Sequence, residues 1–172
     1  EELAEHARLA ESAGGIGPEI QRAYLRRATV HGARTFQLEK AARLWTRLAD
    51  LARGAERGVA LVFCGRSLRM ASRMKEAEPV LEEATRLLDE AGDGASLGIA
   101  LEELSMVNQL TGRNDHATEV LQRALSIQRS LGNTKLVRLA LTGLAGIALN
   151  QGLAEKAEGL LATAMPLCAD EE

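Results

Sequence analysis

Apolar residues recur along this chain at helical spacing, in blocks separated by short polar joints. One block reads Leu97, Ala100, Leu101, Leu104 and Val107, and the next reads Ala117, Val120, Leu121, Ala124, Ile127 and Leu131. Steps of three and four put such residues on one stripe of an α-helix, so each block predicts an amphipathic helix that turns this stripe inward. Between the blocks lies Gly112-Arg113-Asn114-Asp115, where glycine can close the first helix in the left-handed conformation and Asn or Asp can cap the second. The two blocks form a helical hairpin. Gly92-Asp93-Gly94 and Gly132-Asn133-Thr134 set it off from its neighbours with the same helix-stop chemistry.

The hairpin then repeats every forty residues: Ala77, Ala117 and Ala157 fall on one series, Leu81, Leu121 and Leu161 on a second, and Ala84, Ala124 and Ala164 on a third. Upstream, Ala60, Ala100 and Ala140, each followed by Leu, extend the ladder. A fixed period of this length marks a solenoid, whose units gain a core by stacking on one another. A weaker unit comes before: Ala41, Leu44, Trp45 and Leu48 match the spacing of Ala77, Val80, Leu81 and Ala84, with Trp45 in the large-residue slot. Its first helix is expected from about Pro18 to Arg34, with Pro18 in the first turn where a missing N–H costs nothing. Leu3 to Ala13 predict one more short helix, joined through Gly14-Gly15-Ile16-Gly17. The expected architecture is all-α: one domain over residues 1–172, with hairpins near 18–53, 55–91, 95–131 and 135–168 after an N-terminal helix, wound as a right-handed superhelix.

The hairpin resembles the tetratricopeptide repeat, whose pattern is Leu-Gly, an aromatic three residues on, a Gly before the turn, then Ala, Phe and Ala across the second helix. The matching residues are Leu104, Ser105, Asn108, Gly112, Ala117, Leu121 and Ala124, and then Leu144, Ala145, Ala148, Gly152, Ala157, Leu161 and Ala164. In the preceding unit they are Cys64, Gly65, Leu68, Ser72, Ala77, Leu81 and Ala84. The family's aromatics are absent here, and the unit is longer than the usual 34 residues, as in forty-residue members of the family. The resemblance implies that the first helix of each hairpin lines a ligand-binding groove. It places Arg26, Arg34, Arg66 and Arg69 on or near that groove, joined further along by Glu102, Gln109 and Asn150. The family's carboxylate clamp is not reproduced, since Val30 stands where its Asn would be.

Composition agrees with helices: three prolines and 2% aromatics leave few of the residues that strands prefer. Net charge is −3, which gives no ground for expecting a nucleic-acid or membrane-surface partner. Its distribution is lopsided, however. Residues 20–75 hold thirteen Lys and Arg against three acids, whereas residues 76–103 hold one Arg against nine acids. A basic groove would favour an acidic peptide. Cys64 and Cys168 lie far apart with no CxxC, as expected of free thiols in a reducing, cytoplasmic compartment. No uncharged stretch is long enough to span a membrane.

Catalytic chemistry finds little support. His6, His31 and His116 fall in different units with no HxxxH spacing, and the acidic run from Glu76 to Asp93 lacks the alternating ligands of a calcium loop. Glu82 and Arg86 fit an exposed i, i+4 pair instead. Neither glycine-rich joint is followed by the Lys-Ser/Thr of a phosphate-binding loop. The expectation is a binding module, with no enzyme activity and no cofactor or metal.

The order of features also resembles the helical-repeat region of large ATP-binding transcriptional regulators of the LuxR type and related signalling ATPases. The likeness rests on Leu3-Ala4-Glu5-His6-Ala7-Arg8-Leu9-Ala10, Tyr24-Leu25-Arg26-Arg27-Ala28 and the Leu131-Gly132-Asn133 joint. It implies a piece of a longer protein that receives a partner protein or small-molecule inducer and does not itself touch nucleic acid. The alternative is a free-standing adaptor that docks acidic peptide segments.

Overall fold

Residues 37–167 are described in the computed structural model; the helix expected at 18–34, the short helix and joint before it, Arg26, Arg34, His6, His31 and Cys168 lie outside them. Seven helices and no strand make up the described residues: α1 (Leu38–Leu51), α2 (Gly54–Met70), α3 (Met74–Glu90), α4 (Gly94–Leu110), α5 (Asn114–Ser130), α6 (Thr134–Asn150) and α7 (Ala154–Ala164). From α2 to α6 each helix has 17 residues, which is about 25 Å at 1.5 Å per residue. Three residues separate each from the next, so a new helix starts every twenty residues and a helix of the same kind every forty.

One backbone device ends these helices. Ser72, Gly92, Gly112, Gly132 and Gly152 all have φ between 61° and 78°, the left-handed conformation in which glycine pays no Cβ penalty. At Gly112 the N–H bonds the Gln109 carbonyl and the next N–H, of Arg113, bonds the Asn108 carbonyl. Ser72, Gly132 and Gly152 repeat the same pair of bonds, so orphan carbonyls at the helix end are satisfied without side chains. Helix starts are less uniform. Asp93 and Asn133 cap α4 and α6 by accepting from the N–H groups of Ser96 and Leu136, as their position in the joints suggests. The cap expected from Asn114 or Asp115 is not made. Arg113 takes the N-cap position of α5 with no side-chain bond, because the cap falls directly after Gly112, as it falls directly after Gly92 and Gly132, and Asn114 is already the first helical residue.

Within each unit, joints this short fold a helix back against the one before it. The described helices form two compact units, dividing between Ala91 and Gly92. In the first, α2 packs on both α1 and α3; in the second, α4 packs on α5, α5 on α6 and α6 on α7, while α4 and α6 also touch. The alanine ladder is buried throughout: Ala60, Ala100 and Ala140, Ala77, Ala117 and Ala157, and Ala84, Ala124 and Ala164. Small residues sit where a leucine from the facing helix needs room. A Cβ on Gly65 would lie 2.5 Å from Leu81 Cγ, and one on Gly58 would lie 2.7 Å from Leu88 Cγ. Burying each such leucine contributes roughly 2 kcal/mol, which is why the close approach is kept.

The second unit fills two of these seats with polar side chains. Gln128 lies forty residues after Leu88 and packs over Gly98 as Leu88 packs over Gly58. It is fully buried; its Nε2 donates to the Ala95 carbonyl at 3.5 Å, while its Oε1 accepts nothing. Asn108, forty residues after Leu68, is also fully buried, and neither polar atom of its side chain has a hydrogen-bond partner.

Candidate functional site

The face each first-type helix leaves uncovered is set by its own spacing. On α2, Val59, Phe63, Arg66 and Met70 follow at i, i+4, i+7 and i+11, a single line along the helix, and all four are half-buried or exposed. Arg69 lies beside this line. The structure adds what spacing does not show: Trp45 of α1 stacks on Phe63, with ring centroids 4.8 Å apart and planes 19° from parallel. The Arg66 guanidinium lies over the Phe63 ring, 5.4 Å from its centroid, a cation–π geometry. Two of the chain's four aromatic residues are thus assembled with one of the predicted arginines.

The basic segment is partly neutralised within its own unit. Arg57 donates from Nε and Nη2 to Glu83 Oε1 of α3 at 3.1 and 3.0 Å, and from Nη1 to the Ala49 carbonyl of α1 at 3.4 Å, tying three helices together. Arg73 is bonded twice to Glu76 at 2.7 Å. Arg86 pairs with Glu90 at 2.8 Å, one turn onward, and not with Glu82 as the i, i+4 spacing allowed. Part of the charge contrast along the sequence is therefore met inside the unit, by Arg57 of α2 and by Arg73 of the joint, each against an acid of α3.

In the second unit a line at steps of three, four and four runs along α4 through Ile99, Glu102, Met106 and Leu110, with Gln109 beside it, and along α6 through Leu139, Thr142, Gly146 and Asn150, with Leu149 beside it. The two helices touch. Met106, Leu110, Leu139 and Leu149 are exposed, so this face is more apolar than Glu102, Gln109 and Asn150 alone suggest. A Cβ on Gly146 would meet nothing within 4 Å, which leaves open space on the line. Gln109 is drawn inward: its Nε2 donates to Ser105 Oγ at 3.4 Å, and Ser105 Oγ donates to the Ala117 carbonyl at 3.0 Å. Asn150 stands exposed at the end of α6, and Glu102 is half-buried. The Phe63 stack was not readable from the 3.6-residue period, because it joins two helices.

The remaining chemistry is modest. Gly112, Arg113, Asn114, Asp115, His116 and Gln151 line an open depression between two joints of the second unit, where Gln151 Nε2 donates to Asp115 Oδ1 at 3.1 Å. His116 Nδ1 lies 3.6 Å from Glu119 Oε2. Cys64 is buried and unbridged, near Thr46 Oγ1 at 3.3 Å, and burial raises its thiol pKa above the ordinary value, opposed by the Thr46 contact. Among the described residues no group of His, Cys, Asp and Glu could hold a metal ion, and no helix is long and apolar enough to cross a membrane.

Repeated antiparallel hairpins, small residues at the close contacts and a left-handed residue at each joint define the class: this is a tetratricopeptide-like repeat fold. No family model matches the sequence, and no curated protein does. Solved structures share the fold at low identity. BtubC (BKLC) from P. vanneervenii is similar with a TM-score of 0.83 at 16% identity, over 97% of this chain and 70% of that one. TPR-like repeats of a Podosopora anserina kinesin light chain give 0.69 at 19% identity, over 91% and 78%. A signal transduction ATPase with numerous domains from Pyrococcus horikoshii, which has a tetratricopeptide repeat sensor, gives 0.76 at 16% identity; the match covers 92% of this chain and 25% of that one.

Proposed function

We propose that this chain is a protein-interaction region, without enzymatic activity or cofactor, that receives a protein or peptide segment along the exposed lines of its first-type helices. The observation that supports it most is the face shared by α4 and α6, where Met106, Leu110, Leu139 and Leu149 are exposed beside Glu102 and Asn150. Apolar side chains framed by polar ones are the make-up of a site that binds by desolvation and sets register by hydrogen bonds. The region serves as the sensor of a multidomain bacterial transcriptional regulator in the cytoplasm, with a partner protein or small-molecule inducer as its ligand and no direct contact with nucleic acid. In favour of this is the resemblance to an ATPase whose own repeats are described as a sensor. Binding would act there only if it favoured one state of the whole regulator over another.

Arg66 over Phe63, itself stacked on Trp45, with Arg69 alongside, supports a second reading, in which a free-standing adaptor takes an acidic segment on the first unit. A displayed peptide library selected on the 172-residue chain distinguishes them. Met106→Glu and Leu139→Glu are expected to weaken selected binders at least tenfold, with Arg129→Glu on α5 as the neutral control. Binders that are acidic, insensitive to both changes and lost on Arg66→Ala would favour the adaptor. No selectable binder at all would count against both.

A further inference from the structure

Methionine is kept out of the core. Every buried apolar side chain among the described residues belongs to Ala, Leu, Val, Ile or Cys, whereas Met70, Met106 and Met165 are 46%, 43% and 71% exposed and Met74 is half-buried. These four are all the methionines of the chain. Cys64 offers an oxidant little, since it is buried and its raised pKa keeps it a neutral thiol. Among the described residues, the sulfur within reach of a solute is therefore thioether. Met106 is set apart by its place. It stands between Glu102 and Leu110 on the exposed line of α4, and forty residues on, at the equivalent point of α6, a Cβ on Gly146 would meet nothing within 4 Å. The middle of the shared face thus holds an accessible thioether on one helix and room for a partner's side chain on the other.

We propose that Met106 is an oxidative modification site whose sulfoxide closes the α4 and α6 face to its partner. Its effect rests on that face being the binding site, as proposed above. Hydrogen peroxide is the oxidant: the sulfur lone pair attacks one peroxide oxygen, the O–O bond breaks as the S–O bond forms, and the other oxygen leaves as water with both protons. Sulfur is oxidised by two electrons and the peroxide is reduced by two. Two thiols reverse the change, becoming a disulfide while the sulfoxide oxygen leaves as water. A sulfoxide oxygen is a strong acceptor, so a partner that covers it with apolar atoms must strip its water without replacing the hydrogen bonds. Because no methionine is packed in the core, the same oxidation spares the fold.

The probe is hydrogen peroxide, with conversion of each methionine read by peptide mass mapping and function read by titrating a library-selected peptide. Met106 is expected to be converted, circular dichroism and the thermal melt to stay as in the untreated chain, and affinity to fall at least tenfold. A methionine sulfoxide reductase with dithiothreitol should restore it. In Met106→Leu the affinities before and after peroxide should agree within twofold, whatever the starting value, whereas Met165→Leu, which removes the most exposed thioether from outside the face, should keep the tenfold loss. Should Met106→Leu bind too weakly to measure, a chain with Met70, Met74 and Met165 all changed to leucine leaves Met106 alone and must still show the loss. Met106 left unconverted when Met165 is fully oxidised, or a loss of affinity that Met106→Leu does not prevent, overturns the proposal. Failure of the binding face reads differently: no selectable peptide, or affinity indifferent to Met106→Glu before any peroxide is added, sinks the face and the modification's effect together, while sensitivity to Met106→Glu without sensitivity to peroxide sinks the modification alone.

Discussion

Ser72 holds a conformation that four glycines hold at the equivalent joints, with φ of 61°. A Cβ in this region costs roughly 1 kcal/mol, so Ser72→Gly is expected to stabilise the protein by about 0.5 to 1 kcal/mol, read as a higher Tm. A lower Tm would mean that the serine side chain contributes more than its backbone strain costs. Cys64 makes a prediction of opposite sign in pH. Burial raises its folded pKa above its unfolded value, so the neutral thiol stabilises the fold at and below neutral pH. That contribution is lost as pH rises past the unfolded thiol pKa towards the folded one. A pH series of denaturant melts on the parent and Cys64→Ala should show the parent losing more stability in the alkaline range. Ser72 was legible in the sequence, because it stands forty residues before Gly112; the strain it carries became a measurable quantity only with the backbone.

At the scale of the helix, the forty-residue ladder was legible because alanine and leucine return in fixed positions. Its finer form, a new helix every twenty residues, was not, since first and second helices carry different residues at equivalent points and share only the joint. Ala117 of α5 lies fully buried, and its carbonyl accepts from Ser105 of α4. Ala117→Leu is expected to destabilise by about 1 to 3 kcal/mol through overpacking, and an unchanged thermal melt would contradict the register. Gln128 and Asn108 run against the ladder: both occupy seats that Leu88 and Leu68 fill in the first unit, with polar atoms left unbonded. An unsatisfied buried polar atom costs about 1 to 3 kcal/mol, so Gln128→Leu should raise stability by a similar amount. A fall in Tm would show that the amide is worth more there than the apolar seat. The register put Asn108 in the family's aromatic slot, whereas nothing in the periodicity marked Gln128 as buried.

For the molecule as a whole, the charge contrast visible along the sequence proved to be partly internal, with Arg57 set against Glu83 and Arg73 against Glu76. That leaves less cation for a partner than the count of thirteen Lys and Arg implied, and it moves the weight of the binding proposal to the apolar face of α4 and α6. The fold was legible, since repeat spacing reports packing directly. The proposed binding face was legible only in part: the resemblance placed Glu102, Gln109 and Asn150 there, whereas Met106, Leu110, Leu139 and Leu149 joined them only once the helices were placed. The most direct test is amide hydrogen exchange on the 172-residue chain with and without a library-selected peptide. Slowed exchange concentrated in α4 and α6, whose exposed lines form the face, is the expected result. Protection confined to α5 and α7, or none at saturating peptide, would contradict the claim that the first-type helices receive the ligand.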